Sequence, residues 1–483
     1  MHTSNTVVPH MLGMLACALL VVSGCGDGGG DGGDPDDPSV LTHPSSQVVT
    51  EGQTATFVVV ATGSGTLSYQ WRRDAADIPA ATGSTYTFVT TMADDGVAFT
   101  CEVTDAVGSV ESNAAILTVT EPPPTISLNP TSLASSCTEG MNAASQTFEV
   151  WNSGGGTLSY TITGTAGWLS CSPASGTSTG EHDTVTVTYT TSGLAVGIHT
   201  ATITVTDVAA TNSPQTVAVT LAVDLAHYRV VSLATGTVTH SQAISDLETN
   251  DAYKTTHLVL RLVPAGSFQM GNQVSSLYAN ELPVHTVNIT QPFYMGVFEV
   301  TQQQWTTIEG SWTFNWPGNP KRPAEMISWN DIKQSGGFMD TLSSLASMSF
   351  RLPTEAEWEY CCKAGTSTNY SYGNTEDGAW MWYNSNSGSQ AHDVGTTTSK
   401  PNPWGLYDMH GNVWEWCEDW FGSYPSGTAN DPTGPGSGSY RVLRGGSWID
   451  LADNCRSVRR NIVVPSGRHY NLGFRVAIIA AGP

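Results

Sequence analysis

Charge is scarce in this chain of 483 residues: Asp, Glu, Lys and Arg make up only 12% of it, about half the usual share. Basic residues are scarcer still in the first half. Residues 1–224 hold two of the 18 Lys and Arg (Arg72 and Arg73) and 20 of the 42 Asp and Glu, a net of −18. The remainder holds 16 and 22, a net of −6. So acidic a surface repels phosphate and excludes nucleic acid as a partner. Long apolar runs are missing as well: residues 11–23 are too few to span a bilayer, and no later segment is apolar enough to do so. Abundant Ser, Thr and Gly suits exposed β-rich modules better than a helical enzyme, and the length allows three domains with their own cores.

The short apolar stretch ends in Val22-Ser23-Gly24-Cys25. This ending resembles the bacterial lipoprotein signal, which implies that residues 1–24 are removed and that Cys25 becomes the diacylated N-terminus. The expected location is the bacterial cell envelope, lipid-anchored and facing the periplasm or the outside. An ordinary secretory signal with an incidental cysteine is the alternative. Residues 25–40 contain GDGGGDGGDPDDP, which cannot form a core and makes a solvated tether with a reach of roughly 20 Å.

Residues 41–120 alternate apolar and polar positions in short runs, the pattern of a β-sandwich. EGQTATFVVVATG, SYQWRR around Trp71 and DDGVAFTCEV around Cys101 resemble an immunoglobulin-like domain, with Trp71 as its buried core tryptophan. Val59 stands where the resemblance puts the first bridging cysteine, and Phe99 replaces the corner tyrosine. Residues 122–224 open with PPPT and continue in strands such as TFEVWN, TVTVTYT and QTVAVTLAV. FEVWNSGGGTLSYTITGTAGWLSCSPASG resembles a BACON-type sandwich. Cys137 and Cys171 can bridge in the oxidising compartment of an exported protein. Trp151 and Trp168 either pack or form a carbohydrate-binding face. Neither module carries an acid/base pair or a metal cluster, so both are expected to act as spacers.

Residues 225–262 look like a connector. Beyond them, Thr301 with Gln304, Ser328 with Asp331 and Thr354 with Glu357 have capping-box spacing, each followed by an apolar residue that completes a hydrophobic staple or packs beneath. These predict three helix starts in a domain otherwise dense in Trp, Gly, Asn and Pro. FYMGVFEVTQQQW, FRLPTEAEWEYCCKAG, PNPWGLYDMHGNVWEWCEDW, VLRGGSW and NLGFRVA, in that order, resemble the formylglycine-generating enzyme (sulfatase-modifying factor) family. The resemblance covers about residues 260–479, with the domain itself placed at 263–479. It implies an α+β, C-type-lectin-like domain after two all-β sandwiches.

The resemblance also implies sites. Its calcium turn falls on Asp408, Gly411, Val413 and Glu415, two side chains and two backbone carbonyls of the hard-oxygen kind that calcium takes. Alternatively, Asp408 and Glu415 cap turns and pair with arginine. Of a second family calcium site only Asn384 has a match. Family enzymes hold Cu(I) between two cysteines five apart after GGS. Here the later one is Cys455 and the earlier position is Asp450, while Ser447 and Trp414 are kept. One thiolate with one carboxylate is a poor site for a soft ion, so copper is not expected. Cys455 is otherwise a buried thiol or half of a disulfide. Cys362 lacks the partner that the family places in GFRC, because Val476 stands there, and Cys361, Cys417 and Cys455 are open partners.

Arg441, Arg444, Arg456, Arg459, Arg460, Arg468 and Arg475 gather late, either lining a cleft for an anionic ligand or pairing with carboxylates. His285, His392, His410 and His469 lack the spacing of an iron triad. Within residues 449–470, motif positions alternate with idiosyncratic ones (Ile449, Asp450, Leu451, Val463, His469). That pattern resembles the variable end of lectin-fold receptors diversified by retroelements. Two functions follow. The first is a catalytically altered, lipid-anchored module that binds a protein or glycan ligand. The second is a copper-dependent formylglycine-generating oxidase acting on a sulfatase cysteine.

Overall fold

The computed structural model describes residues 37–272, 278–396 and 400–480. The expected signal peptide, Cys25 and nearly all of the tether lie outside the described residues. The chain divides into two compact units, Met1–Pro122 and Pro123–Pro483.

In the first unit, strand Thr54–Val58 alternates outward and inward positions, which buries Ala55 and Phe57. Strand Ser68–Arg73 pairs with Ala98–Thr104 and sets Trp71 opposite Cys101. Trp71 is fully buried and donates its indole N–H to the Gly83 carbonyl at 2.9 Å. The sandwich compensates for its two departures by packing. Phe99 stacks on Phe57 with ring centroids 4.6 Å apart, and Val59 and Cys101 share that core.

The second unit opens with a sandwich of a four-stranded and a five-stranded sheet. Strand Gln215–Asp224 points every second residue inward, as period-two alternation requires. The expected Cys137–Cys171 bridge is not formed; both are free thiols. Cys137 lies on Ser132–Thr138 of the larger sheet and Cys171 on Leu169–Ser172 at the edge of the smaller one. The Cys137 sulfur lies against the Thr191 hydroxyl at 3.5 Å instead. Trp151 stacks on His182 at 4.1 Å, and Trp168 packs against the core beside Tyr189.

One expectation about the rest of this unit needs correction. Residues 225–262 are not a connector: Tyr228–Ser232, Val238–Ser241 and His257–Val263 are three strands of a six-stranded sheet completed by Phe293–Gly296, Ala477–Ile479 and Phe350–Arg351. Their inward residues Val231, Leu258 and Leu260 belong to the main core. The second sandwich is tied to these strands through one buried carboxylate. Glu139, just past the Ser132–Thr138 strand, accepts from Arg229 Nε at 3.2 Å and Nη2 at 2.8 Å. It also accepts from the Tyr294 hydroxyl at 2.9 Å and the Ala226 amide at 3.1 Å. A buried carboxylate and a buried guanidinium that satisfy each other across two sets of strands bind those strands into one body.

The C-terminal domain adds four helices: α1 (Gln302–Glu309), α2 (Trp329–Lys333), α3 (Phe338–Ala346) and α4 (Glu355–Lys363). All three expected capping boxes are present, at α1, α2 and α4. Helix α3 starts at Gly337 without a side-chain cap, so it left no start signal in the sequence. Helix α4 is buried along its whole length, and its charged residues set the electrostatics of everything around it.

Candidate functional site

Between α4 and the strand Trp414–Trp420, the chain turns sharply through left-handed residues Asp408 (φ 57°), Gly411 (φ 87°) and Asn412 (φ 58°). A Cβ at Gly411 would collide with the Trp382 carbonyl, so only glycine fits that step. Asp408 accepts from the Gly395 amide at 2.7 Å. Glu415 gives its oxygens to Arg475, at 2.6 Å from Nε and 2.5 Å from Nη2, and to the Trp358 indole at 2.7 Å. Its role here is the pairing described by the alternative reading. Glu299, which sequence reasoning passed over, closes the group: it accepts from the Val413 amide at 3.1 Å and from Asn412 Nδ2 at 2.6 Å. Burial, and then the negative charges of Asp408 and Glu415, push the Glu299 carboxyl well above the usual carboxylate range. Three buried carboxyl groups therefore meet here, with Arg475 against Glu415 and the buried Lys254 near Asp408, and the proton held by Glu299 relieves the crowding of negative charge. The sequence signal was available: Glu299 is the one carboxylate in the apolar run FYMGVFEV.

The second cluster surrounds Asp450. Its carboxylate accepts from the Ser447 hydroxyl, from Trp414 Nε1 at 2.9 Å and from Asn454 Nδ2 at 3.2 Å. Ser447 in turn accepts from Asn471 Nδ2 at 3.0 Å. Asn384 belongs to the same surround, its amide N–H donating to the Asp450 carbonyl at 2.9 Å and its side chain to the Ile449 carbonyl at 3.3 Å. Three donors hold one carboxylate here in a polar cradle. Cys455 lies beneath, fully buried, with the Gly445-Gly446 turn wrapped over it; a Cβ at Gly446 would stand 2.6 Å from its sulfur. Burial, then the charge of Asp450, raises the Cys455 thiol well above its ordinary value. A soft metal displaces a thiol proton as it binds, so the mismatch lies in the partner: one thiol beside one hard carboxylate is a poor donor set for Cu(I).

The remaining cysteines of the domain, Cys361, Cys362 and Cys417, are buried free thiols. Burial raises Cys362 to about 12. It packs against His410, whose Nδ1 meets the Cys455 carbonyl at 2.8 Å and whose Nε2 accepts from the Ser371 amide at 3.1 Å. Burial lowers His410 to about 4, keeping it neutral. The other histidines stand in separate surroundings. His392 stacks on Trp382 at 3.7 Å, His285 tilts against Tyr424, and His469 is exposed.

The late arginines do not line a free anion cleft. Arg444 binds Glu359, Arg460 binds Glu355 at 2.6 Å, and Arg456 binds Glu281 at 3.0 Å. Arg468 binds Asp331 at 2.5 Å. Arg441 is sandwiched between Trp329 and Trp420, and Arg459 lies 3.6 Å over the Tyr278 ring. The fully buried helix α4 supplies Glu355 and Glu359, and that unpaired charge would be costly without these partners.

Residues 245–480 match the sulfatase-modifying factor enzyme 1-like domain, residues 125–224 the viral BACON domain and residues 38–119 the immunoglobulin I-set domain. A formylglycine-generating enzyme of Streptomyces coelicolor is 30% identical over 287 residues, which cover 44% of this chain and 87% of that enzyme. The chain belongs to the formylglycine-generating-enzyme family. Its family domain is also 32% identical, over 247 residues, to the serine/threonine-protein kinase pkn1 of Chlamydia pneumoniae; the match takes in 45% of this chain but only 37% of that kinase. Among solved structures, Treponema denticola variable protein 1 is similar at 32% identity, covering 47% of this chain and 96% of that one with a TM-score of 0.43.

Proposed function

We propose that this member of the formylglycine-generating-enzyme family is a ligand-binding module of the bacterial cell envelope, held to the membrane through Cys25, rather than a copper oxidase. One observation carries the proposal. The Asp450 carboxylate occupies the position that family resemblance gives to the first copper thiolate, and Ser447, Trp414 and Asn454 hold it there by hydrogen bonds. Soft Cu(I) needs soft donors, and Cys455 is the only thiol of that pair. Ile449 and Leu451, on either side of Asp450, are 41% and 70% exposed. They make an apolar border around a fixed acceptor, which suits capture of a protein or glycan ligand.

Calcium at the 408–415 turn belongs to the same proposal. The family resemblance of the turn and the gathering of Asp408, Glu415 and Glu299 beside it support it, with Asp408, Glu415 and the carbonyls of Gly411 and Val413 as the donors the resemblance implies. The test of function is a peptide-oxidation assay on purified full-length protein supplied with Cu(I) and O₂. The expected result is an unchanged cysteine in a sulfatase-type peptide; conversion to formylglycine would overturn the proposal. For the anchor, mass spectrometry of the mature protein should find acylated Cys25 at its N-terminus.

A further inference from the structure

Away from Asp450 and the 408–415 turn, a cavity of about 320 Å³ opens between α4 and the strand Gly266–Met270. Its wall is aromatic. Phe268, Tyr360 and Trp404 succeed one another with ring centroids 5.2 Å and 4.7 Å apart. The close fit is built in, because a Cβ at Gly266 would collide with the Tyr360 hydroxyl. Phe268 and Trp404 are only partly buried, so they present ring surface to the cavity. The rest of the lining comes from the strand at Ser267 and Gln269 and from Thr366 and Ser367 after α4. The Gln269 amide donates to the Thr286 hydroxyl at 2.9 Å, and the Thr366 hydroxyl donates to the Lys363 carbonyl at 2.8 Å, which leaves its oxygen to accept.

The only charged residue in the lining is Lys363, and it is fully engaged. Its ammonium donates to Glu359 at 2.7 Å, to the Gln269 carbonyl at 2.6 Å and to the Gly271 carbonyl at 3.3 Å, with 4% of the side chain exposed. A lysine that spends its three donors on a carboxylate and two carbonyls has none for an anionic ligand. The cavity thus offers aromatic faces and neutral hydrogen-bonding groups, with no free charge. Negative ring faces attract the weakly positive C–H groups of a flat apolar surface, while hydroxyls take hydroxyl partners. The volume is at the small end of ligand sites, about 300–1,000 Å³.

We propose that this cavity is a subsite for a neutral saccharide, a pyranose ring lying on Trp404 with its hydroxyls donating to Thr366 and Ser367. It is separate from the Asp450 face and does not depend on what that face binds. Neutral sugar, rather than an acidic sugar or a peptide terminus, follows from the sequestered Lys363.

The test is isothermal titration calorimetry of the full chain with maltose, cellobiose and lactose as probes. At least one should bind saturably with Kd of about 1 mM, and Trp404→Ala should weaken it roughly tenfold or more, by removing the ring that carries the stacking. Trp404→Phe keeps an aromatic face and should retain most of the binding. Asp450→Ala should leave it unchanged. The Trp404 backbone bonds to Asn402 and Arg261 do not use the side chain, and a matched melting curve checks that the variant folds. Absence of saturable binding by all three sugars would overturn the proposal. So would binding that survives Trp404→Ala, binding abolished by Asp450→Ala, or a preference for glucuronate over the neutral probes.

Discussion

Glu325 gives the sharpest energetic consequence of the structure. It is fully buried, one oxygen accepts from the Trp316 amide at 2.9 Å, and the other has no hydrogen-bond partner. Arg322 is the one charged group that acts on it, and burial outweighs that attraction, raising the carboxyl to about 7. Because the folded-state value lies above the unfolded one, the proton is bound more tightly in the folded protein. The stability from this group is complete below pH ~4.5 and is lost as pH rises to ~7. A shift of two to three units at 1.36 kcal/mol each corresponds to about 3 kcal/mol. Glu325→Gln keeps the shape and removes the titration. Denaturant unfolding of wild type and Glu325→Gln, compared at pH 4.5 and 7.5, cancels every other titrating group. The variant should be equal or weaker at the lower pH and gain about 3 kcal/mol on wild type at the higher. A difference between the two proteins that does not change with pH would refute the reasoning, and would mean that buried water satisfies the second oxygen.

Glu139→Ala should strand Arg229 as an unpaired buried charge and cost about 3–5 kcal/mol; calorimetry should show one joint transition in wild type and, in the variant, resolve the second sandwich from the C-terminal domain. If calcium fills the 408–415 turn, a 100-fold excess over Kd adds about 2.7 kcal/mol, so chelation should lower Tm and Asp408→Ala should abolish the response; an unchanged Tm would remove the ion from the account. Thr354→Ala takes the side-chain cap from α4 and should cost about 1 kcal/mol, measured by the same unfolding curves.

What the sequence revealed follows from the range of each interaction. The capping boxes at Thr301, Ser328 and Thr354 span three residues, so their chemistry is complete within a short window. Trp71 was legible through the resemblance of SYQWRR and its neighbouring strands to an immunoglobulin-like domain. The strands of residues 225–262 were not: they are short, and their burial depends on pairing His257–Val263 with Phe293–Gly296. Glu139 meets Arg229 across 90 residues and Arg460 meets Glu355 across 105, so no local pattern distinguishes a buried ion pair from a free anion cleft. At the site, the exchange of a cysteine for Asp450 was plain from the sequence. What became of that carboxylate, held by Ser447, Trp414 and Asn454, was set by loops that the sequence could not bring together.

That carboxylate bears the central claim, and anaerobic Cu(I) titration of wild type beside Asp450→Cys tests it most directly. Wild type should bind copper weakly and without fixed stoichiometry, since a single thiol and a hard oxygen make a poor pair. Asp450→Cys should take one equivalent far more tightly. Tight, one-to-one copper binding by wild type would contradict the account.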